Sequence, residues 1–100
     1  MEFLVEDGFR QIQVGKAYWN SFIEKSNFEF GVMRILPGQI DNQNPHASDE
    51  VYFILEGNGI MEIGNHEYEI NQGKIFYVEK GIHHKFKDNS ETIIAYYALN

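Results

Sequence analysis

Seven short runs of β-branched and aromatic residues, set apart by turn residues, constrain this chain to an antiparallel β fold. They cover residues 28–36, 51–55, 60–63, 66–70, 75–78, 84–87 and 92–99. Strands of this length at this spacing build a sandwich or a barrel. The clearest hairpin is Ile60-Met61-Glu62-Ile63, then Gly64-Asn65, then His66-Glu67-Tyr68-Glu69-Ile70. A two-residue Gly-Asn loop accepts the positive φ of a primed turn, whose twist matches that of the strands it joins. Further turns are expected at Asn71-Gln72-Gly73, Glu79-Lys80-Gly81 and Asp88-Asn89-Ser90. No segment shows a sustained helical stripe, so almost no helix is expected. Residues 14–22 fit either a strand or a short turn of helix.

The runs 51–55 and 92–99 are apolar on both faces. A sheet with one face in water should alternate polar and apolar residues. Both faces are therefore expected to be covered, one by the opposite sheet and the other by a second subunit or the N-terminal segment. A homodimer is the economical reading.

One hundred residues suit a single domain, with residues 1–25 as an N-terminal segment and 32–99 as the barrel. Hydrophobic residues make up 43% of the chain, enough to bury a useful core. Eight basic against fifteen acidic side chains give a net charge of −7. That balance disfavours nucleic acid and anionic membrane surfaces as partners, and strongly anionic substrates too unless a bound cation reverses the local field. The absence of cysteine removes disulfides and thiolate zinc sites. No stretch approaches the roughly 20 apolar residues of a membrane span, and the N-terminus lacks the features of a secretory signal. A cytoplasmic location is the expectation.

Chemistry concentrates in two polar islands. The first is Asn44-Pro45-His46-Ala47-Ser48-Asp49-Glu50; the second holds Gly81-Ile82-His83-His84. If a strand starts at Glu50, then Glu50, Tyr52 and Ile54 share a face. His84 and Phe86 share a face on a later strand, with Lys85 and Lys87 turned to solvent. Pro45 favours an extended segment, which gives Asn44 and His46 the same parity. Asn44, His46, Glu50 and His84 then point into one lumen. Two imidazoles and a carboxylate form a divalent-metal ligand set with open positions. The amide of Gln43 replaces that of Asn44 in this set if the loop bends. Tyr52 and Phe86 are candidate pocket residues, and Arg34 is a candidate clamp for a substrate carboxylate or a rim ion pair. His83 and His66 are expected on the surface. Tyr18 and Trp19 fit packing or a dimer contact.

At these residues the chain resembles the cupin superfamily, and in particular its small single-domain members. Gly38, His46, Glu50 and Gly57 match the first cupin motif, and Gly73, Gly81 and His84 match the second. Asn44 stands where the first motif has its first metal histidine. Glu79 replaces the proline of the second motif, and Asp88 its final asparagine. The resemblance implies an all-β double-stranded β-helix, a jelly-roll barrel of two antiparallel sheets. It also implies one divalent transition metal (iron, manganese, nickel, cobalt or zinc) in the lumen and a small-molecule ligand. The implied activities are of dioxygenase, isomerase or lyase type; the alternative is a non-catalytic module that binds a sugar or other small molecule.

Overall fold

Alternating side chains sort this chain into two sheets with a shared interior. A computed structural model describes residues 1–14 and 18–100. Helix α1 (Val5–Val14) is followed by β1 (Trp19–Lys25), β2 (Phe28–Ile35), β3 (Glu50–Glu56), β4 (Ile60–Ile63), β5 (His66–Glu69), β6 (Ile75–Val78), β7 (His84–Lys87) and β8 (Ile93–Leu99). One antiparallel sheet has the order β1-β2-β8-β3-β6, the other β5-β4-β7. This is the expected all-β jelly roll. The β4–β5 hairpin closes Ile63 against His66 through Gly64-Asn65, with Gly64 at φ +58°.

The core lies between the sheets. Met33 and Ile35 of β2, Tyr52 and Ile54 of β3, and Ile93 and Ala95 of β8 face inward from the large sheet, and Met61 and Phe86 meet them from the small one. In β3 the inward residues Glu50, Tyr52 and Ile54 are buried while Val51 and Phe53 are each 39% exposed.

The N-terminal segment departs from the expectation of almost no helix. Val5, Phe9 and Ile12 recur at i, i+4 and i+7 and form one face of α1, with Ile12 buried. Glu6 and Asp7 occupy the first turn, where carboxylates favour the helix dipole. The stripe is only ten residues long and Gly8 interrupts it, which hides it in a sequence window. Gly8 has a packing role. A Cβ there would stand 2.6 Å from the Phe22 ring and 2.8 Å from a Val32 methyl, so glycine lets the helix close on the outer face of β1 and β2. In the 14–22 region, β1 begins at Trp19 and Val14 ends α1; residues 15–17 lie outside the described residues.

Helix α1 covers only part of that outer face. Register places Val32, Tyr96, Phe53 and Ile75 in one row across β2, β8, β3 and β6. Val32 beneath the helix is fully buried, Phe53 is 39% exposed and Ile75 62% exposed. The neighbouring row ends on Val51 and Tyr77, also exposed.

Candidate metal centre

Glu50 opens β3 in the large sheet and His84 opens β7 in the small one, so the two motifs face each other across the lumen. Both are buried, at 3% and 1% exposure. His46 comes from the loop between β2 and β3. The Gly81 N–H donates to the His46 carbonyl at 2.7 Å, and the Lys80 N–H to Asp49 Oδ1 at 2.9 Å. The turn that delivers His84 is thereby fastened to the loop that carries His46. Gly81 takes φ +78° in that turn, a conformation that a side chain disfavours.

Five polar atoms converge. His84 Nε2 lies 3.0 Å from Glu50 Oε1, and His46 Nε2 lies 3.5 Å from the same oxygen. The Tyr52 hydroxyl donates to Glu50 Oε1 at 2.6 Å and stands 3.1 Å from His84 Nε2. Gln43 Oε1 lies 3.1 Å from the Tyr52 hydroxyl and 3.3 Å from His46 Nε2.

Hydrogen bonding fixes the protons. His84 Nδ1–H donates to the Ile82 carbonyl at 3.1 Å. In a neutral ring the Nε2 lone pair must therefore face the Glu50 carboxylate, which is repulsive unless a cation lies between them. Without a metal that cation is a proton. Burial alone lowers the His84 pKa, but the hydrogen bond and charge of Glu50 and the Ile82 carbonyl raise it above 6.5. Tyr52 is pushed well above 10 by burial and then by the Glu50 charge and hydrogen bond, so it remains a neutral phenol.

Asp41 organises the loop, and it was not among the residues expected to matter. It is 7% exposed. Its oxygens accept from the Tyr18 hydroxyl at 2.7 Å, the Phe86 N–H at 2.8 Å, the Gln43 side-chain amide at 3.1 Å and the Gln43 N–H at 3.3 Å. Charge-assisted donors of this kind compensate the burial of a carboxylate. A carboxylate can only accept, so the NH₂ end of Gln43 faces Asp41 and its oxygen faces His46 and the Tyr52 hydroxyl. The one sequence signal was local: an Asp two residues before Gln43, able to bond the backbone N–H two positions on.

The other candidates are distributed as follows. Asn44 is exposed on the cavity wall, and the amide at the cluster is that of Gln43. Phe86 is 2% exposed and lies edge-on to Tyr52 with ring centroids 5.0 Å apart, so it supports the site from behind. Arg34 is not in the cavity. Its neighbours Met33 and Ile35 fill the core, so its side chain stands on the opposite face, paired in register with Ile94. His83 is exposed beside Glu62, and His66 is exposed after its turn.

The donor set fits a transition ion. Metal–donor bonds of about 2.1 Å put neighbouring donors about 3.0 Å apart in an octahedron and about 3.4 Å apart in a tetrahedron. The separations of 3.0 Å for His84–Glu50, 3.3 Å for Gln43–His46 and 3.5 Å for His46–Glu50 lie close to this range. His46, Glu50 and His84 offer ligand atoms all within 4.8 Å of one another. Beside them opens a cavity of about 450 Å³, within the range of small-molecule sites. Tyr18, Trp19, Met33, Glu29 and Tyr97 are among the residues that line it.

Comparison with known proteins agrees with this architecture. A protein of Streptomyces coelicolor, SCO3923, is 35% identical over 72 residues, 72% of this chain and 69% of its own length. The Cnp3 cupin domain of Schizosaccharomyces pombe superposes with a TM-score of 0.72 at 20% identity, covering 81% of this chain and 61% of that one. TT1209 of Thermus thermophilus gives the same TM-score at 22% identity, covering 81% of this chain and 79% of that one. A family profile described as the cupin domain matches residues 31–99, which run from β2 through β8 and include every member of the cluster, and the chain belongs to that family.

Proposed function

We propose that this cupin holds one divalent transition metal (iron, manganese, nickel, cobalt or zinc) through His46, Glu50 and His84, with the Gln43 amide oxygen beside them. On this reading it acts on a small molecule in the adjoining cavity, in a reaction of dioxygenase, isomerase or lyase type. The observation that carries the proposal is the orientation of His84. Its Nδ1–H is committed to Ile82, so its Nε2 must share a cation with Glu50. When bound, the ion supplies Lewis acidity toward a carbonyl or enediolate oxygen.

The chain's own residues would do the rest. Asp41 holds Gln43 in register with the histidines. Tyr52, kept neutral by burial and by Glu50, holds a proton at its hydroxyl on the cavity wall and can pass it to a ligand oxygen. Met33 and Leu99 give the cavity apolar wall. Elemental analysis of untagged protein purified without chelator tests the reading. Near-stoichiometric metal that is lost in His84→Ala supports it, and metal-free wild type opposes it.

A second reading rests on the same atoms. With a proton on His84, the hydrogen bonds among Glu50, Tyr52 and His84 satisfy one another, so the cluster is also self-consistent as a metal-free polar site. A non-catalytic module for a sugar or other small molecule would use it so. Defined ligand binding by metal-free protein favours this alternative.

We also propose a homodimer through the bare half of the outer sheet face. The row from Val32 to Ile75 becomes more exposed with distance from α1, and Val51, Phe53, Ile75 and Tyr77 form one apolar surface across β3 and β6. A contiguous surface of this kind on a small domain marks an interface.

A further inference from the structure

The cavity has a second polar end that the metal reading leaves unused. On the inner face of the large sheet, Glu29 pairs with Leu99 and Leu99 with Glu50. Two strand spacings therefore separate Glu29 from Glu50, about 10 Å. In the next row Ser21, Gly31, Tyr97 and Tyr52 follow one another. Strand β1 bulges between Ser21 and Ile23, and Phe22, the extra residue, lies against α1. Bulges re-aim side chains in this way beside functional sites.

Three oxygens meet at this end. Ser21 Oγ lies 2.5 Å from Glu29 Oε2 and 2.6 Å from the Tyr97 hydroxyl, and that hydroxyl donates to Glu29 Oε2 at 2.8 Å. Gly31 makes the meeting possible. A Cβ there would stand 2.7 Å from the Tyr97 hydroxyl oxygen, so the glycine leaves the space through which the tyrosine reaches across β2. Ser21 and Tyr97 both engage Oε2. Among the described residues, Oε1 has no hydrogen-bond partner and Glu29 has no ion pair. Among the described residues that line the cavity there is no lysine or arginine, while Tyr18 and Trp19 contribute aromatic surface. Such a wall attracts a cation and repels a phosphate or a second carboxylate.

We propose that Glu29, with Ser21 and Tyr97, forms a second binding station that takes the protonated amine of a small ligand whose oxygen-donor end meets the His46–Glu50–His84 group. The station deepens the metal reading and rests on it. It names the ligand class as small amino compounds with a carbonyl, carboxylate or hydroxyl oxygen roughly 10 Å from the nitrogen, the spacing set by two strand intervals.

The test titrates zinc-loaded wild type and Glu29→Gln by calorimetry with four hydroxamates. Acetohydroxamate reaches only the metal. Aminohexanohydroxamate, hexanohydroxamate and the carboxylate-ended analogue differ only at the far end. Glutamine keeps the hydrogen bonds to Ser21 and Tyr97, so the fold should survive. Wild type should prefer the amine over the methyl end by about tenfold, as for a charge-assisted hydrogen bond, and bind the carboxylate most weakly. Glu29→Gln should lose that preference and keep its affinity for acetohydroxamate. Equal binding of the three long probes, or a preference that survives in Glu29→Gln, overturns the station and leaves the metal reading intact. If acetohydroxamate binds neither protein, the metal reading fails, and the station is then judged with hexylammonium alone. Amide shifts at Ser21, Glu29 and Tyr97 in wild type but not in Glu29→Gln support it, and their absence overturns it.

Discussion

At the scale of the residue, the site is built on a few side chains held by buried hydrogen-bond partners. Asp41 accepts from four groups on three residues, the Tyr18 hydroxyl, the Phe86 N–H, and the side-chain amide and N–H of Gln43. Asp41→Ala should therefore destabilise the protein by about 3 kcal/mol or more, since each orphaned donor costs about 1–3 kcal/mol. Denaturant unfolding checks this, and a loss below about 1 kcal/mol contradicts the clamp. His84 makes a prediction of opposite pH sense for the metal-free and metal-bound forms. Its folded pKa is raised, so its contribution to stability is complete below the unfolded value of 6.5 and is lost as pH rises through the higher folded value. Chelator-treated wild type should lose stability relative to His84→Gln from pH 6.5 upward. Metal affinity should instead fall as pH drops through the same raised value, because the ion and the proton compete for Nε2. A stability difference between wild type and His84→Gln that is flat across that window removes the proposed His84–Glu50 coupling.

At the scale of the element, strands were far more legible than the loop and the helix. Seven runs read from their β-branched and aromatic residues between turns became β2 to β8, with no end shifted by more than one residue. The inward parity of Glu50, Tyr52, His84 and Phe86 followed from the same period of two. The helix was missed because Val5, Phe9 and Ile12 span less than a diagnostic window. Asn44 displaced Gln43 in the reading because a proline suggests extension, whereas Asp41 holds the Gln43 side chain locally and is itself anchored by Tyr18 and Phe86, partners that only the tertiary fold supplies. Arg34 was misplaced because an arginine among apolar neighbours carries no mark of which face it takes. One glycine joins these elements. Besides approaching Tyr97, a Cβ at Gly31 would stand 2.3 Å from the Asn20 carbonyl oxygen, so β1 would have to shift. Gly31→Ala should cost about 1–3 kcal/mol, the range for overpacking a filled interior. A thermal melt unchanged from wild type contradicts the close approach.

At the scale of the whole molecule, two sheets present one face to each other and leave the other face of the large sheet half covered. The helix shields Val32, and the bare half carries Phe53 and Ile75. Phe53→Glu should turn a dimer into a monomer in sedimentation, with metal content unchanged because the side chain points away from the lumen. A wild type that sediments as a monomer across micromolar concentrations contradicts the interface. The lumen itself carries the central claim. His46, Glu50 and His84, from a loop and two opposed sheets, bring ligand atoms within 4.8 Å of one another, with the Gln43 oxygen 3.3 Å from His46. The most direct test is elemental analysis of wild type, His84→Ala and Asn44→Ala purified side by side without chelator. The account predicts near-stoichiometric divalent metal in wild type and in Asn44→Ala, and its loss from His84→Ala in protein that remains folded. Full metal content in His84→Ala, or none in wild type, contradicts it.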